Sequence, residues 1–412
     1  MPNSFAKDAI DFSCPVKLDD STVVTSSTAA SCAVFFYRQS RVMRSIRVVL
    51  GRKSRNLAAS WTRTSRPIVF VGQLRDNRRA LRSAPQSMDI WHESFWLPEG
   101  VHWKDLQSTP TVQYPDAWDL RYTIYFGAAL LVLRILVESF VFLPIGYLCG
   151  WIQPGRDGLT GRVFSHLGGG FAGKSKFKRI AETAWRCLFY LCAWISGFLI
   201  LRSEAHLYDV TECWRNWPHH PISNSVWWYY IIETSFYWAL LFSTVFFDIR
   251  RHDFVQMVLH HGITILLLWI SFSLNMLKVG SLVLFSHDFA DIFLDLGKLF
   301  NYAKWERPLK IVFATFMVTW IVTRLIYYPL WIINSVIFDA PELIQKSYRW
   351  ENLLQRPIVP RVLCLMLCAL LVLHVFWTWL ILKIAVKSAT EGEVDDVRES
   401  EDDDEPKSTK ED

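Results

Sequence analysis

The sequence lacks the cysteine patterns of disulfide-rich and zinc-binding proteins. Its eight cysteines include no CxxC pair, and four of them lie inside apolar segments: Cys187, Cys192, Cys364 and Cys368. This arrangement argues against a disulfide framework and against a cysteine-based zinc site. The N-x-S/T glycosylation sequon is also absent, so the orientation of any membrane span has to be predicted from charge.

Acidic residues are missing from a long N-terminal stretch. None lies between Asp20 and Asp76, whereas the segment from Arg38 to Arg82 contains 13 Lys or Arg. A segment of this composition cannot bury enough apolar surface to form a core. We therefore predict that residues 1–87 are a basic, disordered extension.

The C-terminal end has the opposite bias, since residues 391–412 hold 12 acids against three bases. We predict an acidic, disordered cytosolic tail at 388–412.

The basic extension at residues 1–87 has two alternative interpretations. Its Arg- and Ser-rich composition is shared with transit peptides. The working protein could also begin at Met88, where residues 88–121 form an aromatic, amphipathic N-terminal segment.

Long apolar runs fill most of the remaining chain, and the whole protein is 51% hydrophobic and 15% aromatic. Seven runs are long enough to cross a bilayer as helices. They are 122–148, 183–202, 226–247, 255–273, 279–300, 309–333 and 361–386. These runs predict an all-α polytopic membrane protein with about seven transmembrane helices. Residues 149–182, which are Gly-rich and then basic, are predicted to be a short cytosolic linker.

Lysine and arginine in the short loops predict the orientation. Basic residues follow the first, third, fifth and seventh spans, and they include Arg250 and Arg251 after the third and Lys304 and Arg307 after the fifth. Basic loops stay in the cytosol, so these regions share one side of the membrane. The C-terminus is then cytosolic, and the N-terminus and the near-neutral loop 203–225 are lumenal.

Ionisable residues interrupt the fourth and fifth spans. They are His260, His261, His287, Asp288, Asp291 and Asp295. A bilayer interior disfavours each such group by several kcal/mol, so this cluster predicts a functional site. Asp288, Asp291 and Asp295 recur at i, i+3 and i+7, which puts them in one stripe of a helix.

The spacing also predicts that these side chains lie at one depth. If the two spans form an antiparallel hairpin turning at Leu274–Asn275, His260 lies 14 residues before Leu274 and Asp288 lies 14 after it. His261 and His287 are each 13 residues away. At a rise of about 1.5 Å per residue, all four lie roughly 20 Å from the turn. Burying the two polar stripes against each other would keep them away from lipid.

Several functions are compatible with this residue set. In acyl transfer, a neutral imidazole attacks a thioester and an amine or alcohol then takes the acyl group. A metal enzyme is a second reading, although the HxxxH and HxxHH spacings of di-metal membrane oxidases are absent. A non-enzymatic receptor or transporter is a third, and interhelical hydrogen bonding with no further role is a fourth.

The segment HDFVQMVLHHGITILLLWISFSLNMLKVGSLVLFSHDFADIFLDLGKLFNYAKW resembles the longevity-assurance (Lag) motif of the ceramide synthases, in the TLC-domain superfamily. The resemblance covers about residues 88–387 and includes FWLPEGVHWKDL, WWYYIIETSFYWALLFS and TRLIYYPLWI. It implies a helical barrel, the TLC catalytic domain at 183–387, preceded by one N-terminal helix at 122–148. The translocation-associated relatives share this fold but lack the HH…HDxxD set, so a non-enzymatic TLC-domain protein is the alternative.

The resemblance also implies an activity. The family N-acylates a sphingoid base, sphinganine or sphingosine, with fatty acyl-CoA in the endoplasmic reticulum membrane. It implies no metal and no permanently bound cofactor, acyl-CoA being a co-substrate, and it allows a homodimer or heterodimer.

Carried onto this chain, the family motif assigns five catalytic residues: His260, His261, His287, Asp288 and Asp291. We expect His260 to be the acylated nucleophile and Asp288 its partner, with His261 and Asp291 as supporting bases or positioning groups. The CoA phosphates are expected near Arg250, Arg251 and Lys304.

Two departures from the family pattern lead to further expectations. Many animal members carry a homeobox-like module between the first two spans, but residues 149–182 are too short for it, so we predict no DNA binding. The extension 1–87 has no family counterpart. The family links acyl-chain length selection to the lumenal loop between the last two spans, here 334–360, which would cap the deep end of an acyl tunnel.

Overall fold

The computed structural model describes residues 90–109, 112–149, 158–173 and 175–391. These residues contain long helices and no β-strand, which confirms the all-α class. The long helices are α1 (Ala117–Leu148), α2 (Lys176–Leu201), α3 (Asn224–Phe246), α4 (Phe254–Ser273), α5 (Leu277–Tyr302), α6 (Glu306–Ile344) and α7 (Val359–Glu391). The predicted extension 1–87 and all but the first residues of the predicted tail 388–412 lie outside the described residues.

Five of these helices, α1, α2, α4, α6 and α7, are long and apolar enough to cross a membrane. The protein is therefore a multi-pass membrane protein. α3 and α5 have matching lengths but are more polar. α5 carries three aspartates and α3 carries Glu233 among several tyrosines. The helices are consistent with the seven predicted spans.

Helices α2 to α7 form a closed ring, in the order α2, α3, α4, α7, α6, α5 and back to α2. α1 lies outside this ring and packs along α3. The two helices approach closely at Gly127, where an added Cβ would lie only 3.0 Å from the Ser235 carbonyl oxygen. This is the helical barrel with one additional N-terminal helix that the resemblance implies.

The turn between α4 and α5 falls at the predicted position, since α4 ends at Ser273 and α5 begins at Leu277. Asn275 has a φ of 54°, a left-handed conformation that asparagine adopts more readily than most residues. The side-chain amide of Asn275 donates to the Pro218 carbonyl oxygen at 2.9 Å. The turn is therefore fixed to the connection between α2 and α3.

Beyond this turn, α4 and α5 separate. α4 packs mainly against α3 and α7, and α5 packs mainly against α2, α3 and α6. The expectation that the two polar stripes bury against each other is therefore wrong. Closing a ring of helices requires each helix to contact its ring neighbours, so consecutive helices need not stay paired. Both polar stripes lie toward the interior of the ring, which keeps them away from lipid.

Three boundaries also differ from the sequence predictions. The predicted linker 149–182 contains a helix at Gly158–Leu167, and α2 already begins at Lys176, after Ser175 accepts a capping hydrogen bond from the Lys178 amide at 3.1 Å. The loop predicted at 334–360 begins only after Ile344, because α6 remains helical up to that residue. Glycines followed by basic residues had indicated a linker at 149–182, but helix packing extends the helices at these ends.

Candidate active site

The ring encloses two cavities, which we name by what lines them. The basic cavity, named for Arg250 and Arg251, opens near these residues between α3 and α4, and its lining holds five acidic and five basic side chains. The apolar cavity extends toward Trp214 and Trp217 between α2 and α3. Among the described residues, only Tyr237 and His260 line both cavities. His260 therefore lies at the junction of a charged compartment and an apolar one.

The paired histidines of α4 have different surroundings. The His260 ring lies 5.4 Å from the Trp377 ring of α7 and 5.6 Å from the His261 ring, measured between centroids. Tyr237 of α3 contacts both imidazoles, at 6.4 and 6.2 Å. Nδ1 of each histidine is buried and has no hydrogen-bond partner within the described part of the chain. Aromatic rings thus hold the two imidazoles in place while leaving ring nitrogens available for chemistry.

His287 of α5 faces the apolar cavity. Its Nδ1 lies 2.7 Å from the Val283 carbonyl oxygen, and its buried Nε2 has no hydrogen-bond partner among the residues that the structure describes. A carbonyl only accepts, so Nδ1 carries the proton and Nε2 has the free lone pair. The ring also lies 5.1 Å from the His374 ring of α7 and 5.2 Å from the Tyr328 ring of α6.

An arginine from α6 positions the acidic stripe. Arg324 donates to the Asp291 carboxylate at 2.9 Å and to the His287 carbonyl oxygen at 3.0 Å. Arg324 lies in a π-helical stretch, Ile321–Ile333, that contains Pro329. Such stretches widen the helix and often occur at functional sites, because they redirect side chains. The wider turn places Arg324 against α5.

The other two aspartates of the stripe differ in their partners. Asp295 is paired with Arg186 of α2 at 3.5 Å. Asp288 is fully buried, and neither of its carboxylate oxygens has a hydrogen-bond partner among the described residues. Its carboxyl group interacts electrostatically with that of Glu233 of α3. No hydrogen bond joins Asp288 to His260, so their predicted partnership stays a prediction.

The basic cavity has a charged mouth. Arg250 and Arg251, both predicted to hold CoA phosphates, line it together with Lys298. Lys304, the third predicted residue, lies in the turn after α5 with a φ of 56° and is not among the lining residues.

Asp248 lies in the connection between α3 and α4 and also lines the basic cavity. Burial by itself would raise the pKa of Asp248, but Arg134 of α1, at 2.8 Å, holds that pKa well below its usual range. Arg134 also pairs with Glu138, four residues further along α1, at 2.8 Å. This cluster attaches α1 to the mouth of the cavity.

The ring gathers the five predicted catalytic residues around its interior. The basic cavity is lined by His260, His261 and Asp291. The apolar cavity is lined by His260 and His287, and Asp288 is buried and lines neither cavity. Within the described residues, no group of three or more His, Cys, Asp or Glu side chains is arranged to hold a metal ion.

Sequence reasoning missed several residues at this site: Tyr237, Trp377 and Trp320. They carry no distinguishing signal, because aromatic residues occur throughout the spans. It noted Glu233, Arg324 and His374 only as isolated intramembrane residues. Their isolation in the sequence was the available signal, since an unpaired ionisable group within a membrane span requires a partner from another helix.

Comparison with known proteins places this site in a family. Residues 179–383 match the TLC domain. The chain is 44% identical over 318 residues to ceramide synthase hyl-2 of Caenorhabditis elegans, covering 76% of this chain and 93% of that protein. It is 40% identical over 313 residues to ceramide synthase hyl-1 of the same organism, covering 75% and 83%.

A human relative matches over a similar region. Ceramide synthase 5 of Homo sapiens is 33% identical over 341 residues, which cover 74% of this chain and 84% of that protein. The fold and the buried HH…HDxxD set define a TLC-domain membrane protein. The chain belongs to the ceramide synthase family within that class.

Proposed function

We propose that this protein is a sphingoid-base N-acyltransferase. It transfers a fatty acyl group from acyl-CoA to the amine of sphinganine or sphingosine, forming dihydroceramide or ceramide. The observation that carries the proposal is the position of His260, which lines both the basic and the apolar cavity. The relatives named ceramide synthases support the same activity.

The two cavities match the two parts of an acyl-CoA. The CoA moiety is anionic and suits the basic cavity, where Arg250 and Arg251 lie at the mouth. The acyl chain suits the apolar cavity, because burial of each methylene contributes about 0.8 kcal/mol. With both parts in place, the thioester lies at the junction, beside His260.

The first half-reaction forms an acyl-histidine. A ring nitrogen of neutral His260 attacks the thioester carbonyl carbon, the new C–N bond forms, and the C–S bond breaks. The imidazole gives up its N–H proton, and the departing thiolate takes up a proton to leave as CoA thiol. Tyr237 and Trp377, packed on the ring, hold it in the attacking orientation.

The second half-reaction transfers the acyl group to the amine. A sphingoid base is an ammonium ion at neutral pH, so it must lose a proton before its nitrogen can attack. His261 and Asp291 both line the basic cavity and are the proposed bases for this step. The amide C–N bond forms, the bond to His260 breaks, and the imidazole regains a proton from the attacking amine.

We place the protein in the endoplasmic reticulum membrane, with the basic cavity open to the cytosol, where acyl-CoA is found. The prediction of orientation rests on the basic loops around Arg250 and Lys304. The non-enzymatic alternative is not favoured, because the relatives that match over most of their length are named as synthases.

The activity is tested with membranes from cells that express the protein in a background without endogenous ceramide synthases. They are incubated with a panel of acyl-CoAs and sphinganine, and N-acyl product is measured by mass spectrometry. We expect product with at least one chain length. Complete lack of product across the panel, with the protein present in the membrane, would contradict the proposal.

The nucleophile is tested with radiolabelled acyl-CoA in the absence of sphingoid base. We expect covalent label on the wild-type protein and none on His260→Ala. His261→Ala is the matched control and is expected to keep the label while turning over slowly, because it retains the nucleophile. If His260→Ala still becomes acylated at this site, His260 is not the nucleophile.

A further inference from the structure

The apolar cavity is closed at one end by two segments that are distant in sequence. One is the connection between α6 and α7, of which Tyr348, Trp350 and Pro357 line the cavity. The other precedes α1, and it contributes Trp96 and Pro98. The second segment contains a short helix, Glu93–Trp96, that lies outside the ring of membrane helices.

Hydrogen bonds attach the two segments to each other. The Ile358 amide donates to the Phe95 carbonyl oxygen at 2.9 Å, and Arg356 donates to the Ser94 hydroxyl. Between these contacts and the cavity, Leu97 is only 1% exposed. It packs in a cluster with Trp217 and Leu274. The segment before α1 is thus a fixed part of the cavity wall.

The position of Trp96 is also fixed. Its indole Nε1 donates to the Ile90 carbonyl oxygen at 2.7 Å, and its ring packs edge to face on Phe95 with centroids 5.3 Å apart. Both contacts are local, since Ile90 and Phe95 belong to the same segment as Trp96. Moving the indole aside to admit a longer ligand would break them, so the side chain opposes extension of the cavity at this point.

We propose that Trp96 is a further specificity-determining residue that limits the length of the acyl chain. The inference rests on the proposed function, because it takes the apolar cavity as the acyl site. The indole blocks extension of the cavity past the short helix. Removing it leaves space into which additional methylenes of the chain can extend.

The test compares kcat/KM for a homologous series of saturated acyl-CoAs in wild type, Trp96→Ala and Trp96→Phe. For Trp96→Ala we expect the ratio of longer chains to the wild-type optimum to rise about tenfold or more, the discrimination that single methylenes produce in apolar pockets. Trp96→Phe should give a smaller rise in the same direction. The ratio compares chain lengths within one variant, so a general loss of folding, which lowers kcat/KM for all chains alike, would leave it unchanged.

Trp118→Ala is the matched control, because Trp118 is 75% exposed and does not line the cavity. It should leave the chain-length profile unchanged. If Trp96→Ala does not accumulate in the membrane, Trp96→Leu takes its place. An unchanged ratio in the variants that accumulate would overturn the inference while leaving the activity intact. Absence of product from the wild type itself would instead overturn the proposed function.

Discussion

At the scale of single residues, the site depends on side chains that fix the reactive groups from neighbouring helices. Arg324 is the clearest case, because one guanidinium group contacts both the His287 carbonyl oxygen and the Asp291 carboxylate. Its side chain is buried, and Asp291 is mostly buried. An ion pair in this environment contributes more to positioning than to net stability, yet removing one partner leaves the other charge uncompensated.

We predict that Arg324→Gln destabilises the protein and slows acyl transfer. Loss of the guanidinium leaves the Asp291 carboxylate without its cation, at a cost of roughly 3–5 kcal/mol. A small displacement of α5 can reduce turnover by about a hundredfold. Thermal unfolding in detergent and the sphinganine assay measure the two effects.

The double variant Arg324→Gln/Asp291→Asn separates these effects. It removes both charges, so we expect it to recover much of the thermal stability without recovering the activity. Arg202→Gln, at an exposed position at the end of α2, is the matched control and should change neither. An Arg324→Gln protein as stable and active as the wild type would show that the ion pair has no positioning role.

At the scale of helices, close approach determines where the ring can close. α5 passes α3 at Gly280, where an added Cβ would lie 2.6 Å from the Tyr230 hydroxyl oxygen. Tyr230 cannot withdraw, because it is fully buried and its hydroxyl contacts Ser271. Glycine at position 280 is therefore required by packing rather than by backbone conformation.

Gly280→Ala is predicted to be destabilising. Overpacking costs about 1–3 kcal/mol, which exceeds the helix-propensity gain of up to about 1 kcal/mol for alanine over glycine. Gly262→Ala on α4 is the matched control, since an added Cβ there meets nothing within 4 Å. That variant should be neutral or more stable. The unfolding midpoints of both variants in one detergent test this, and equal midpoints would refute the packing argument.

At the scale of the whole molecule, the ring order separates α4 from α5 and creates the interior. α4 and α5 are joined by a short turn, yet α7 is the ring neighbour of α4 and α6 is that of α5. The histidines of α4 and the aspartates of α5 therefore face a shared space instead of each other. A tightly packed hairpin would have had no room for two substrates.

Orientation is also a property of the whole molecule, and we predict that the turn before α6 faces the cytosol. An impermeant maleimide applied to sealed microsomes should label Glu306→Cys, at the first residue of α6. It should label Glu351→Cys, between α6 and α7, only after permeabilisation. Both positions are exposed. Labelling of the native cysteines in the unsubstituted protein gives the background signal. The reverse pattern of labelling would contradict the predicted topology.

The sequence alone was sufficient for the parts of this protein that depend on local pattern. Apolar runs predicted the helices to within a few residues at most ends, because the membrane requires about twenty apolar residues in a row. The turn at Leu274–Asn275 followed from the same runs. The cost of ionisable groups in an apolar span pointed to the cluster in the fourth and fifth spans, and the family resemblance then selected the five candidate catalytic residues from it.

Only the tertiary structure decided which helices are neighbours. Ring order brought His374, Arg324 and Glu233 to the residues of α4 and α5, and it placed Trp96 at the end of the apolar cavity. No spacing within one helix encodes these contacts, because they join segments that are far apart in the chain. The sequence by itself determined the helices and the ionisable groups that they carry, whereas packing of the helices around a common interior decided the partners of those groups and the shape of the two cavities.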